Sequence, residues 1–138
     1  MRRGAARLTL FLSAAALGAA CSVPPEQPIV GDFFAASRLR DTTALAKFAT
    51  VVFEPREQGI VASFEIERVS PQRTVGDMLL KEVLVRAVVR DGEGRSGERR
   101  LTVTLQKRRG ANDVHALYGG WLVTAVTDAE GSRAAPRS

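Results

Sequence analysis

The segment VLVRAVVRDGEGRSGERRLTVTLQ, residues 83–106, decides the fold. Two runs of alternating side chains flank a Gly-rich stretch at residues 91–98. In each run one parity is apolar and the other is mostly polar. The apolar positions are Val83, Val85, Ala87, Val89, Leu101, Val103 and Leu105. A period of two predicts strands, and the glycines predict a turn between them, so the segment predicts a β-hairpin with one face toward a core.

Two further strands are predicted on either side of this hairpin. In residues 60–69, Ile60, Ala62, Phe64 and Ile66 share one face. Residues 121–127 form the last predicted strand, in which Trp121 has the parity of Val123 and Ala125 and is expected to anchor the core. Residues 71–80 predict at most one turn of helix. The chain is thus expected to form about four antiparallel strands.

Helical spacing precedes the strands. Val30, Phe33, Phe34 and Ser37 lie at positions i, i+3, i+4 and i+7, which predicts a helix ending near Leu39. Asp41 offers an N-cap oxygen for a second short helix with Leu45 and Phe48 on its apolar side.

Helices followed by strands predict the α+β class, with one or two N-terminal helices packed on a curved antiparallel sheet. The domain is expected to span residues 29–127, and residues 128–138 a flexible tail. The expected core joins the helix and sheet positions Phe33, Phe34, Phe48, Phe64, Ile66, Val85, Val103 and Trp121.

Residues 1–20 have the three parts of a secretory signal. Arginines come first, residues 8–17 are mostly apolar, and small residues then lead to Cys21. The apolar run is too short to span a bilayer, which requires about 20 residues. Export with removal of residues 1–20 is therefore expected.

The segment LGAAC, residues 17–21, resembles the lipobox of bacterial lipoproteins. The resemblance implies that the Cys21 thiol carries a diacylglycerol and that cleavage occurs just before Cys21. Residues 21–28 would then form a Pro-rich tether between membrane and domain. Ser22 favours the outer membrane over the inner. The alternative is ordinary signal cleavage, which would leave a soluble secreted protein with a free N-terminal cysteine.

The segment FFAASRLRDTTALAKFA, residues 33–49, resembles the opening of the nuclear transport factor 2-like superfamily, and WLVTAV, residues 121–126, is similar to its closing strand. The resemblance implies a curved sheet around a helix, enclosing a conical pocket. In enzymes of that group a pocket Asp or His transfers protons. The candidate lining of such a pocket, or of the core, is Phe33, Phe34, Phe64 and Trp121.

Net charge limits the kinds of partner that are expected, and cysteine content limits the covalent cross-links. The chain has 20 basic and 15 acidic side chains, but Arg2, Arg3 and Arg7 belong to the signal, and 17 against 15 leaves a net charge of only +2. A nucleic-acid partner is therefore not expected. A single cysteine excludes an internal disulfide, so the fold must depend on its core.

Catalytic and metal chemistry are not expected. His115, the single histidine, lies among polar loop residues, and N-capping accounts for Asp41. One histidine and one cysteine do not make a zinc site, and we expect no cofactor.

A basic patch is the remaining candidate feature. Arg86, Arg90, Arg100 and Arg108 share the polar parity of the hairpin and could face an anionic envelope component. The alternative is a solvated face shared with Glu65 and Glu67. The sequence predicts a non-catalytic envelope lipoprotein that binds an envelope protein or another envelope component. The second hypothesis is a ligand-binding or catalytic nuclear transport factor 2-like domain.

Overall fold

The computed structural model describes residues 23–110 and 116–129. Helix α1 spans Gln27–Leu39 and is followed by the short helix α2, Thr42–Leu45. The strands are β1 (Ile60–Val69), β2 (Arg73–Val75), β3 (Met78–Arg90), β4 (Ser96–Arg108) and β5 (Leu122–Asp128). A turn with 3₁₀ hydrogen bonding, Leu117–Gly120, precedes β5; we call it the 3₁₀ helix, although its Tyr118 and Gly119 take left-handed conformations, with φ of 54° and 64°. None of the helices in this part of the chain is long and apolar enough to cross a membrane.

The strands form one antiparallel sheet in the order β1-β3-β4-β5. Strand β2 pairs with the start of β3, on the side where β1 pairs with the remainder of β3. In the β3–β4 register Val83 faces Val103 and Val85 faces Leu101, so the apolar parities of the two strands coincide. The predicted hairpin is confirmed, and one sheet face is lined with small and medium apolar side chains.

Helix α1 covers this inner face. Its predicted stripe of Val30, Phe33, Phe34 and Ser37 is buried. The helix ends where Arg40 takes a left-handed conformation, φ 53°, and donates its N–H to the carbonyls of the last turn. Ser37 Oγ accepts the Phe53 N–H at 3.1 Å, which holds the segment after α2 against α1.

The core confirms the α+β fold with helices on one face of the sheet. Phe33, Val83, Val85, Ala87, Val103, Leu105 and Val123 have no exposed surface. Phe48 and Phe34 are 4% exposed, whereas Phe64, Ile66 and Trp121 are half-buried at the margin of the same core. Backbone hydrogen bonds between residues 48–50 and Val123 cover the edge of β5.

The elements exceed the predicted bounds at several points. Strands β3 and β4 have 13 residues each, because residues 78–82 and 106–108 continue the pairing beyond the alternating apolar run. Residues 73–80 form a hairpin around Gly76 and Asp77 rather than a helical turn, and Gly76 provides the positive φ of 61° that this turn needs. Strand β5 ends at Asp128, and Ala129 still donates its N–H to the Arg100 carbonyl, so residues 128 and 129 are part of the sheet.

Candidate functional site

A small cavity lies at the end of the domain where the chain enters from the Pro-rich segment. We call this end the tether end; it comprises the start of α1, the β2–β3 turn, the end of β4 and the 3₁₀ helix. The cavity measures about 200 Å³. Its lining is mainly apolar, with Ile29 and Leu105 at the core side and Trp121 and Tyr118 nearer the surface. Two polar groups, Glu26 and Lys81, complete the lining.

Glu26 and Lys81 form an ion pair inside this cavity. Lys81 Nζ donates to Glu26 Oε1 at 2.9 Å. The Lys81 side chain is only 15% exposed and the Glu26 side chain only 8%. The ammonium also lies 4.2 Å from the centroid of the Trp121 ring, within the range of a cation–π contact. Each charge thus has an opposite charge or a π face beside it, which is the usual condition for burying charged groups.

Local sequence explains how the pair is positioned. Lys81 has the inward parity of Val83 and Val85, one step beyond the apolar run of β3. Glu26 stands at the N-cap position of α1, and its side chain makes no capping bond, so its carboxylate is available to Lys81. A carboxylate at a helix N-terminus also interacts favourably with the helix dipole. The ion pair therefore joins the chain entering the domain to the sheet.

Tyr118 and Asp32 form a second polar contact at the tether end. The Tyr118 hydroxyl donates to Asp32 Oδ2, and the ring packs edge-on against Phe48 with centroids 5.3 Å apart. Burial, followed by the hydrogen bond to Asp32 and the charge of that carboxylate, raises the pKa of Tyr118 to about 12. At neutral pH the phenol therefore stays protonated and acts as a hydrogen-bond donor.

This pKa gives a pH prediction. Because the folded-state pKa of Tyr118 lies above the ordinary value of 10.0, the unfolded chain loses its phenol proton first as the pH rises. The associated stability is complete below about pH 10 and is lost progressively toward pH 12. Tyr118 is the single tyrosine, so ultraviolet absorbance of phenolate should titrate near pH 12 in the folded protein and near pH 10 in urea. Equal midpoints in both states would contradict the burial and bonding of this hydroxyl.

A wider groove of about 390 Å³ lies at the opposite end, beside the β3–β4 turn. Three of its charged side chains, those of Asp91, Arg95 and Arg99, form ion pairs. Arg95 Nε donates to Asp91 Oδ2 at 3.0 Å, and Arg99 donates to Asp128 at 2.6 Å and to the Gln58 carbonyl at 2.9 Å. The backbone N–H of Arg95 is the main cause of the lowered pKa of Asp91. These contacts order the turn and the edge of the sheet.

The outer sheet face holds the candidate basic patch. Arg86 and Arg100 face each other across β3 and β4, whereas Arg90 and Arg108 lie at opposite ends of this strand pair. Glu65 and Glu67 do share the surface: Arg86 donates to Glu65 and Arg100 to Glu67, each at 2.7 Å. The hydrogen bond that Arg86 donates to Glu65 is the main cause of the raised pKa of Arg86. The four arginines are therefore not gathered into one basic surface.

Of the remaining candidate residues, some lie in the described part of the chain and others lie outside it. Asp41 caps α2 as predicted, since its Oδ1 accepts the Ala44 N–H at 3.0 Å. Phe33 and Phe34 lie in the core, and Phe64 borders a groove between α1 and β1. Cys21, His115, the signal at residues 1–20 and the chain after Ala129 lie outside the described residues. Within residues 23–110 and 116–129, no group of three or more His, Cys, Asp or Glu side chains is placed to hold a metal ion.

Sequence reasoning missed the Glu26–Lys81 pair and the Tyr118–Asp32 contact. The sequence contained one signal for the ion pair, because Lys81 is a basic residue at an inward position of a strand. Comparison of the chain with known protein families, curated proteins and solved structures gave no match.

Proposed function

We propose that this protein is a lipoprotein of the bacterial envelope, anchored through Cys21, whose domain is a non-catalytic binding module. One observation carries the anchoring part of the proposal: the domain begins within the Pro-rich segment, five residues after Cys21. Glu26 is 7% exposed and paired, α1 begins at Gln27, and the core of the described residues starts at Ile29. Loss of residues 1–20 would leave every one of these core contacts intact.

The tether is short and its point of attachment is fixed. Five residue steps separate Cys21 from Glu26, which corresponds to at most roughly 18 Å of extended chain. Because the ion pair to Lys81 holds Glu26 on the sheet, the tether leaves the domain at one defined place. A domain held this way stays next to the membrane surface.

The outer face of the sheet supports the binding role. Within the described part of the chain, both helices pack on the inner face, and the outer face carries the half-buried Leu80 and Leu84 and the 37% exposed Val88. Along β3 these apolar side chains alternate with paired charges: Glu82, paired with Arg73, lies between Leu80 and Leu84, and Arg86, paired with Glu65, lies between Leu84 and Val88. Apolar groups surrounded by paired charges are typical of protein-interaction surfaces. The expected partner is an envelope protein or another envelope component.

Metabolic labelling tests the anchor. In a bacterial host supplied with an alkyne fatty acid, the wild-type chain should become labelled and float with membranes. Cys21→Ser should abolish the label, because Cys21 is the only thiol. The neighbouring substitution Ser22→Ala is the matched control and should retain the label. Undiminished labelling of Cys21→Ser would contradict the anchor.

Site-specific photocrosslinking tests the binding role. A benzophenone side chain at Val88, on the outer face, should give one discrete adduct in native membranes, and the captured component should bind the purified domain directly. The same probe at Thr43, an exposed position on the helical side, serves as the control. Equal adducts from both positions would argue against the outer face as the binding surface.

A second candidate function rests on the tether-end cavity. A buried ion pair beside aromatic rings within an apolar lining suits a small polar ligand, as the resemblance to the nuclear transport factor 2-like group implies. This function ranks second because about 200 Å³ is below the 300–1,000 Å³ of ordinary ligand pockets, and Lys81 and Glu26 already satisfy each other.

A further inference from the structure

The tether end carries an unusual share of the exposed apolar surface. Six large apolar side chains are exposed in the described part of the chain, and Val23, Val75 and Leu117 are three of them, at 70%, 55% and 49%. Val23 belongs to the tether, Val75 stands before the β2–β3 turn, and Leu117 opens the 3₁₀ helix. All three elements lie at the same end of the sheet, and we call these three exposed side chains the apolar rim.

A run of three bases lies in the same place. Lys107, Arg108 and Arg109 end β4, and the Arg109 N–H donates to the Asp77 carbonyl at 2.7 Å, which ties the run to the β2–β3 turn. Lys107 also lies beside Gly120 of the 3₁₀ helix: a Cβ atom added to Gly120 would lie 3.7 Å from Lys107 Cε. The acidic groups at this end are Asp77 and Asp32, which are exposed, and Glu82 and Glu26, which pair with Arg73 and Lys81. Outside these two ion pairs the three bases of the run stand against two carboxylates, so the run keeps a small positive excess.

Trp121 and Tyr118 complete the rim. Both are half-buried and packed against the core, and the Tyr118 hydroxyl donates to the exposed Asp32. Tryptophan and tyrosine are enriched at the headgroup level of membranes because they are apolar with one polar group. Basic side chains are attracted to anionic lipid headgroups, and apolar side chains enter the interface.

We infer that the tether end lies directly on the anionic phospholipid surface that holds the anchor. This inference rests on the proposed lipid anchor at Cys21. The tether of at most roughly 18 Å brings this end, rather than the β3–β4 turn at the far end, against the bilayer. The basic run then faces lipid phosphates, and the outer face of the sheet stands roughly perpendicular to the membrane, open to a partner.

The single tryptophan makes this orientation measurable. The chain from Cys21 to Ser138, which contains the whole described domain, is coupled through its only thiol to a maleimide lipid in vesicles. Some of the lipid carries a spin label on its headgroup. Trp121 fluorescence should be quenched about twofold more on phosphatidylglycerol than on phosphatidylcholine vesicles, and the excess should disappear at high salt, which screens surface charge.

Charge variants decide the outcome. The excess quenching should disappear in a triple variant in which Lys107, Arg108 and Arg109 are all replaced by Glu. It should be reduced in the triple variant in which the same residues are replaced by Gln. The control is a triple variant in which Arg38, Arg56 and Arg90, which lie away from the tether end, are replaced by Glu. It changes the net charge by the same amount and should retain the excess quenching. Unchanged melting temperatures establish that the variants fold. The inference would be overturned if the wild-type protein were quenched equally on both lipids, or if both triple Glu variants lost the excess quenching to the same extent. Chemical coupling makes the result independent of fatty-acid labelling in cells, so failure of the anchor and failure of the orientation are distinguishable.

Discussion

Phe34→Ala is expected to lower the free energy of unfolding by about 3–5 kcal/mol, a large share of the stability of a domain this size. Phe34 is 4% exposed and lies among three other rings, with centroid distances of 5.4 Å to Phe33, 5.5 Å to Phe53 and 5.7 Å to Phe64. These contacts join α1, the segment after α2 and strand β1. Removing the ring leaves a cavity that three separate elements would have to close.

Urea denaturation of the chain from residue 22 onward, followed by circular dichroism, measures this loss. Thr102→Ala, on the outer face of β4, is the matched control and should change the free energy by less than about 0.5 kcal/mol. Phe64→Ala should give an intermediate loss, because its ring is only half-buried. If Phe34→Ala unfolded at the same urea concentration as Thr102→Ala, the packing of α1 on the sheet would be wrong.

The sheet was predictable because its register follows from side-chain alternation. Strand β1 spans the residues expected for it, and the inward parity of β3 and β4 is as expected, since a slip of one residue would turn valines and leucines to solvent. The expected inner face of β1 is wrong at its start: Val61 is buried opposite Val89 and Ala62 is exposed, because an irregularity between Val61 and Ser63 changes the parity before Phe64. Helix α1 was predictable for the same reason, because its aromatic stripe must be covered. Strand β2 was missed because three residues are too few to show a period, although Gly76-Asp77 is a recognised hairpin signal.

The outer face depends on details that alternation does not contain. Strand β1 has irregularities between Val61 and Ser63 and between Ile66 and Arg68. They shift which side chains stand beside each other, and they bring Glu67 within reach of Arg100 while Glu65 stays opposite Arg86. A bulge changes the pairing without changing the composition of a strand, so the sequence offered a face shared with Glu65 and Glu67 as an alternative to a basic patch but could not show which arginine each would pair with.

The tether-end site depends on long-range contacts. Glu26 and Lys81 are 55 residues apart, and Glu26 comes from a segment that looked like a mere spacer. Lys81 at an inward position was a visible anomaly, but its partner could only be identified once α1 was placed on the sheet. The same holds for Tyr118 and Asp32, which are 86 residues apart.

Lys81→Met should destabilise the domain by about 3–5 kcal/mol, because it leaves the Glu26 carboxylate, 8% exposed, without its partner. The double variant Glu26→Met with Lys81→Met should recover most of that loss, since two apolar side chains of similar length fill the same space without burying a charge. The recovery should be incomplete by up to about 1 kcal/mol, because the double variant lacks the carboxylate at the N-terminus of α1.

A double-mutant cycle on Glu26 and Lys81, measured by urea denaturation, isolates the interaction from the packing of either side chain. Arg73 and Glu82 provide the matched surface pair, with side chains 61% and 43% exposed, and Arg73→Met should lower the free energy of unfolding by less than about 1 kcal/mol. A Lys81→Met variant as stable as Arg73→Met would mean that water reaches Glu26 freely, and the start of α1 would then not be held to the sheet. A double variant as unstable as Lys81→Met alone would instead assign the loss to the contact of the Lys81 ammonium with the Trp121 ring, whose centroid is 4.2 Å away.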